Sequence, residues 1–209
     1  QLTTVAGATG LNVTATAVET VTGTATQMDA LLAVEGSTGD KVNLDADYAI
    51  TINSGTATVT QANAYATAAG VVTATISDTD IAALDDLTTA STDQLTITVA
   101  STSATAAQLT TVAGATGLNV TATAVETVTG TAAQVDALLL VEGSTGDKVN
   151  LDADYAITIN SGTATVTQAN AYATAAGVVT ATISDTDIAA LDDLTTASTD
   201  QLTITVAST

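Results

Sequence analysis

The amino-acid sequence predicts an α/β fold: a right-handed α/β solenoid with one parallel β-sheet, helices on one face and an exposed, threonine-rich face on the other. Three observations carry this expectation. The chain is an almost perfect internal repeat. Within each repeat, runs of alternating residues give way to runs of helical spacing. The composition lacks the large side chains that would fill a globular centre.

The repeat comes first, because self-similarity at a fixed period points to stacked architecture. Gln1–Thr102 realigns on Gln108–Thr209 at an offset of 107, differing only at Thr26/Ala133, Met28/Val135 and Ala33/Leu140. Ser103–Ala107 has no partner. The chain thus reads as an excerpt from a longer array, beginning partway through a repeat. Each repeat divides into four strand–helix coils, which places coils at 11–47, 48–70, 71–93, 94–117, 118–154, 155–177 and 178–200 of a single continuous solenoid over residues 1–209.

The strand halves alternate. Ile50 and Ile52, Val72, Ala74 and Ile76, then Leu95, Ile97 and Val99 share one face, because successive side chains on a strand point to opposite sides. Eight strands are expected, at 12–17, 49–53, 72–77, 95–100, 119–124, 156–160, 179–184 and 202–207. On the opposite face stand Thr14, Thr16, Thr51, Thr73, Thr75, Thr96, Thr98, Thr121 and Thr123.

The helix halves announce their starts. Thr58–Gln61, Thr105–Gln108 and Thr131–Gln134 each read T-x-x-Q, a capping box that satisfies amide donors of the first turn. Ala62/Tyr65, Leu109/Val112 and Val135/Leu138 follow as core pairs. Asp80 takes the cap position before Leu84/Leu87, where a carboxylate meets the positive end of the helix dipole. Gly70 and Gly117 stand where helices should stop. A strand and helix cannot bury their apolar sides alone, whereas stacked coils can, and parallel strands joined by helices turn right-handed. An all-β parallel solenoid is the alternative.

Composition sets the remaining limits. The 209 residues include no Cys, Pro, His, Trp or Phe, and the only aromatics are four Tyr. The net charge is −20, with Lys41 and Lys148 the only basic residues. Such a chain is repelled by nucleic acid and by anionic lipid, so neither is an expected partner. There is no run of about 18 apolar residues, and membrane insertion is not expected. The expected partners are neighbouring repeats of the same chain, with head-to-tail self-association through exposed terminal strands.

"VVTATISDTDIAALDDL", "GTATVTQANAYA" and "VTGTAAQVDALL" resemble the Thr/Ala-rich tandem solenoid repeats of giant secreted bacterial surface or adhesin-like proteins, of cyanobacterial and marine type. With their copies these motifs cover nearly the whole chain. The resemblance implies secretion, an extracellular or cell-surface location, and a structural role as a rod or stalk. The glycine–aspartate nonapeptide that binds calcium elsewhere in such proteins is missing from this sequence.

Candidate sites are few. Without His, Cys or Arg the usual acid–base and nucleophile sets are absent, so no catalysis and no cofactor are expected. Asp40, Asp45 and Asp47 in "GDKVNLDAD" supply hard oxygen ligands, yet lack the spacing of a calcium loop, and a solvated turn is the plainer reading. Asp85/Asp86 fall on an outer helix face. Diffuse association of Ca²⁺ or Mg²⁺ with the whole acidic chain needs no dedicated site. The sharpest alternative is the threonine grid, which resembles the T-x-T faces of ice-binding proteins and suggests ice or surface binding.

Overall fold

The structure, a computed structural model, describes residues 1–35, 41–142 and 148–207. Two compact units are present. One comprises Gln1–Thr79, Asp86–Ile97 and Gly114–Leu118, the other Asp80–Asp85, Thr98–Ala113 and Asn119–Thr209.

The first unit contains helix α1 (Leu2–Gly7), strands β1 (Val13–Thr14) and β2 (Thr20–Gly23), helix α2 (Ala25–Glu35), and strands β3 (Val42–Asn43) and β4 (Ala49–Ile52). Helix α3 (Val59–Ala68) and strands β5 (Val71–Thr75) and β6 (Gln94–Thr96) complete it. Its ladders are all parallel: β1 pairs with β3, and a second sheet runs β2-β4-β5-β6.

The second unit holds helix α4 (Ile81–Leu84), strand β7 (Ser103–Thr105), helix α5 (Ala106–Gly114), and strands β8 (Val120–Ala122) and β9 (Thr127–Gly130). Helix α6 (Ala132–Glu142), β10 (Val149–Leu151), β11 (Ala156–Ile159), α7 (Val166–Ala175), β12 (Val178–Thr182), α8 (Ile188–Leu191) and β13 (Gln201–Thr203) follow. Again the ladders are parallel, β8 with β10 and a five-stranded sheet β7-β9-β11-β12-β13. The chain is therefore an α/β protein whose sheets, among the described residues, are all parallel, and its helices overturn the all-β alternative.

Two expectations need correction. The pairing forms four sheets instead of one, and the described residues hold thirteen strands instead of eight. A sharp turn at the end of two expected strands separates β1 from β2 and β8 from β9, while β3, β7 and β10 are further strands that were not expected. Val18 N–H donates to Ala15 O at 3.0 Å, and Val125 N–H donates to Ala122 O at 3.0 Å. The strand expected at 12–17 thus ends at Thr14, and that expected at 119–124 ends at Ala122. After each turn "TVTG" forms a further strand, β2 or β9. Gly23 is buried in the inward register of β2, packed against the side chains of Gln27 and Met28.

The cores form as the periodicity dictates. In the first unit Ile50, Val72, Ala74 and Leu95 point inward with Ala62 and Tyr65 of α3. In the second, Val128, Ile157, Val179 and Ala181 do the same with Val135, Leu138, Ala169 and Tyr172. The four tyrosines, Tyr48, Tyr65, Tyr155 and Tyr172, are the largest fully buried side chains.

The capping boxes are present. Thr58 N–H donates to Gln61 Oε1 at 3.0 Å while Gln61 N–H donates to Thr58 Oγ1 at 3.2 Å. Thr105/Gln108 and Thr131/Gln134 repeat the pattern. Asp80 caps α4 by accepting from Ala82 N–H at 2.8 Å. Gly70 serves differently from a left-handed helix stop, since positive φ occurs, among the described residues, only at Gly55 and Gly162. Its role is close approach: a Cβ on Gly70 would sit 2.6 Å from Asp47 O, and one on Gly117 2.7 Å from Gln94 Nε2.

Candidate functional site

The outward faces of the sheets carry threonine in rows set by strand register. In the first unit Thr22, Thr51 and Thr73 stand in one row across β2, β4 and β5, continued by Gln94. Thr75 and Thr96 form a short row beyond it. In the second unit Thr105, Thr129, Thr158 and Thr180 form a row of four across β7, β9, β11 and β12. Neighbouring strands lie about 4.8 Å apart, so each row is a file of methyls and hydroxyls at that spacing. The adjacent row is mixed: Ser103, Thr127, Ala156 and Val178. Thr51, Thr129, Thr158 and Thr180 are only half-exposed, whereas Thr73, Thr75 and Thr96 are exposed.

The nine threonines expected on one face are distributed over different ladders. Thr51, Thr73, Thr75 and Thr96 share the sheet of the first unit. Thr14 belongs to the separate β1–β3 ladder, opposite Asn43. Thr98 bridges Thr121, which lies on β8 opposite Asn150. Thr16 and Thr123 sit in the two turns that break the strands. Sequence reasoning missed Thr20, Thr22, Thr127 and Thr129, although the T-x-T in "TVTG" carried the signal, and it read Thr105 as a helix cap alone.

The carboxylates divide into two kinds. Asp45 and Asp47 are exposed and, with Glu19 and Tyr48, line a cavity of about 320 Å³ in the first unit. Asp40 lies outside the described residues. No group of three or more carboxylates among the described residues is placed to hold a metal ion. In the second repeat the equivalent residues, Asp152 and Asp154, act on each other. The hydrogen bond from Asp154 lowers the pKa of Asp152, while that bond and the charge of Asp152 raise the pKa of Asp154.

The second kind of carboxylate binds backbone one coil away. Asp78 Oδ2 accepts from Val59 N–H, the first amide of α3, at 2.7 Å, and Asp185 repeats this with Val166. Asp93 is buried and accepts from Val72 N–H at 2.7 Å and Ala90 N–H at 2.8 Å. Asp29 links α2 to α3, taking the Tyr65 hydroxyl at 2.7 Å and Gln61 Nε2 at 2.8 Å. Asp136 does the same with Tyr172 and Gln168. The capping-box glutamine therefore acts twice, accepting with Oε1 and donating with Nε2. Asp85 is the C-cap of α4 and half-buried, while Asp86 is exposed and its carbonyl accepts from Asn63 Nδ2 at 2.8 Å.

No helix among the described residues is long and apolar enough to cross a membrane. Comparison with protein-family models, with curated proteins and with solved structures gives no match.

Proposed function

We propose that this chain is a structural repeat module, a rod or stalk segment of a large extracellular bacterial surface or adhesion protein, built as a right-handed α/β solenoid and carrying no catalysis. One observation carries the reading: the same elements, caps and lateral carboxylate clamps occur twice at an offset of one repeat. Tyr65–Asp29 and Tyr172–Asp136 have the same 2.7 Å bond, and the two capping boxes at Thr58 and Thr165 match in every contact. Selection for a repeated cross-section favours length over a unique cleft. The high negative charge suits a solvated stalk that gathers Ca²⁺ or Mg²⁺ diffusely, without a dedicated site.

Small-angle scattering of arrays containing increasing numbers of repeats tests the reading. Four coils stacked at about 4.8 Å add roughly 19 Å to the maximum dimension per repeat. Growth in proportion to copy number is the expected result. Growth as the cube root of mass would remove the rod.

The row Thr105–Thr129–Thr158–Thr180 favours a second reading, binding of ice or another ordered surface through the threonine face. On that reading the protein shapes growing ice crystals, and Thr129→Lys with Thr158→Lys abolishes the shaping while leaving the circular dichroism unchanged. Round, unshaped crystals at high protein concentration exclude it.

A further inference from the structure

We infer that the fold is a stretch-absorbing device: tension on the chain releases one turn, a strand with its connection, at a time, and side-chain ties between neighbouring turns set how long each turn holds. Its use as a shock absorber rests on the proposed stalk role, whereas release turn by turn rests on strand order and hydrogen bonding alone.

Strand order decides how tension reaches the backbone ladders. In the first unit the larger sheet runs β2-β4-β5-β6, and in the second β7-β9-β11-β12-β13, both in chain order. The first and last strands of each sheet therefore stand at opposite edges. Shear, in which all bonds of a ladder yield together, needs the two pulled strands to be neighbours. Here a pull along the chain acts across each ladder and opens it from one end. Registered partners lie 21 residues apart at Thr73↔Gln94, 22 at Ala49↔Val71 and 29 at Thr20↔Ala49, and the second sheet keeps to the same range. Freed chain spans about 3.3–3.6 Å per residue, so each release adds roughly 70–100 Å of length.

Side chains tie each turn to the next. In the first unit Asp29 joins α2 to α3 through Gln61 and Tyr65, whose hydroxyl also reaches Ala25 O at 3.0 Å. Asn63 of α3 is bonded twice to the following turn. Its Nδ2 donates to Asp86 O at 2.8 Å, and its Oδ1 accepts from Thr88 N–H at 2.8 Å. Asp78, on that following turn, reaches back to Val59 N–H. Asp136, Asn170 and Asp185 repeat these ties in the second unit. The longest of them, Tyr65 to Ala25 and Tyr172 to Ala132, spans 40 residues. Stability is then a sum of nearest-neighbour terms, so the outermost turn can leave while the rest stays folded.

Composition leaves the extension free and reversible. The chain has no Cys, hence no disulfide to hold a loop closed, and no Pro whose slow isomerisation would delay re-forming. Contacts this local in sequence favour fast re-formation once tension falls.

Optical-tweezers stretching of the whole chain, held through cysteines added at its two ends, tests the inference. Extension should proceed in steps of roughly 70–100 Å that reverse on relaxation. At constant force, Asn63→Ala with Asn170→Ala removes two bonds between turns in each unit. The dwell before release of those turns should shorten roughly tenfold, with the step length unchanged. Thr67→Ala with Thr174→Ala removes an equally exposed bond inside a single helix, from the threonine hydroxyl to Asn63 O or Asn170 O at 2.9 Å, and should leave the dwell alone. Steps of twice the expected length or more, in which neighbouring turns leave together, overturn the inference. So does an asparagine variant, folded by circular dichroism, whose dwell equals that of the wild type. Growth of arrays in proportion to copy number would stand in either case, so the stalk role fails or survives separately.

Discussion

Replacing Asp93 with alanine is expected to cost about 3 kcal/mol of stability, while the same change at its repeat equivalent Asp200 costs less than half as much. Asp93 is 3% exposed, and its two oxygens hold the amides of Val72, at the inner face of β5, and Ala90. Asp93 N–H also donates to Ala90 O at 2.9 Å, so the residue closes its own turn in both directions. Truncation leaves the amide of buried Val72 without an acceptor, at about 1–3 kcal/mol, and frees that of exposed Ala90 to water. Asp200 makes the same two bonds, both at 2.7 Å, to Val179 and Ala197, but it is itself half-exposed where Asp93 is buried. Water can replace its carboxylate there. Urea denaturation of the two variants measures the difference. Equal midpoint shifts would show that burial does not set the worth of these clamps.

That pair of aspartates marks where the sequence stopped being readable. Local rules carried the helices: T-x-x-Q at Thr58, Thr105 and Thr131 needs only residues three apart, and apolar residues at four and seven past the cap follow from one helical turn. Period-2 alternation likewise placed Ile50, Val72 and Leu95 inside. The turns at Ala15–Val18 and Ala122–Val125 were illegible because they use neither Gly nor Pro. The alternation of "TATAVETVTG" slips at Ala17–Val18, so the expected strands stopped at 17 and 124, and the threonines of β2 and β9 beyond them were lost to the grid. Asp78 and Asp93 carry no local signal because their partners lie 19 and 21 residues away. That separation is close to one coil, and it acquires meaning only when coils are stacked. Gly70 was legible as a boundary but not as a close approach, since Asp47 O is brought against it only by the ladder between β4 and β5.

In alkali the protein is expected to unfold cooperatively above pH 10, with the tyrosines as the trigger. Burial pushes the Tyr48 hydroxyl up to about 12, and the charge of Glu35 adds to the effect. Burial raises Tyr155 further, with Glu142 contributing. For Tyr65 and Tyr172 burial comes first, then the hydrogen bond to Asp29 or Asp136, which a phenolate could not donate, then the carboxylate charge. An unfolded tyrosine titrates near pH 10. Below that pH both states keep their protons, so the stabilising contribution is fully present. As pH rises from 10 through 12 the unfolded chain binds fewer protons than the folded one, and stability falls by up to about 1.4 kcal/mol per pH unit for each tyrosine. Phenolate absorbance at 295 nm should therefore appear together with the loss of far-ultraviolet circular dichroism. Complete ionisation near pH 10 with the dichroism intact would sink the argument. The hydroxyls also differ at neutral pH. Those of Tyr48 and Tyr155 are buried without a hydrogen-bond partner among the described residues, whereas that of Tyr65 bonds Asp29 Oδ1 and Ala25 O. Tyr48→Phe should thus raise stability by about 1 kcal/mol and shift the alkaline midpoint upward, because an unsatisfied buried hydroxyl is removed. Tyr65→Phe should lower stability at pH 7 by a similar amount, since Asp29 loses a donor that ties α2 to α3.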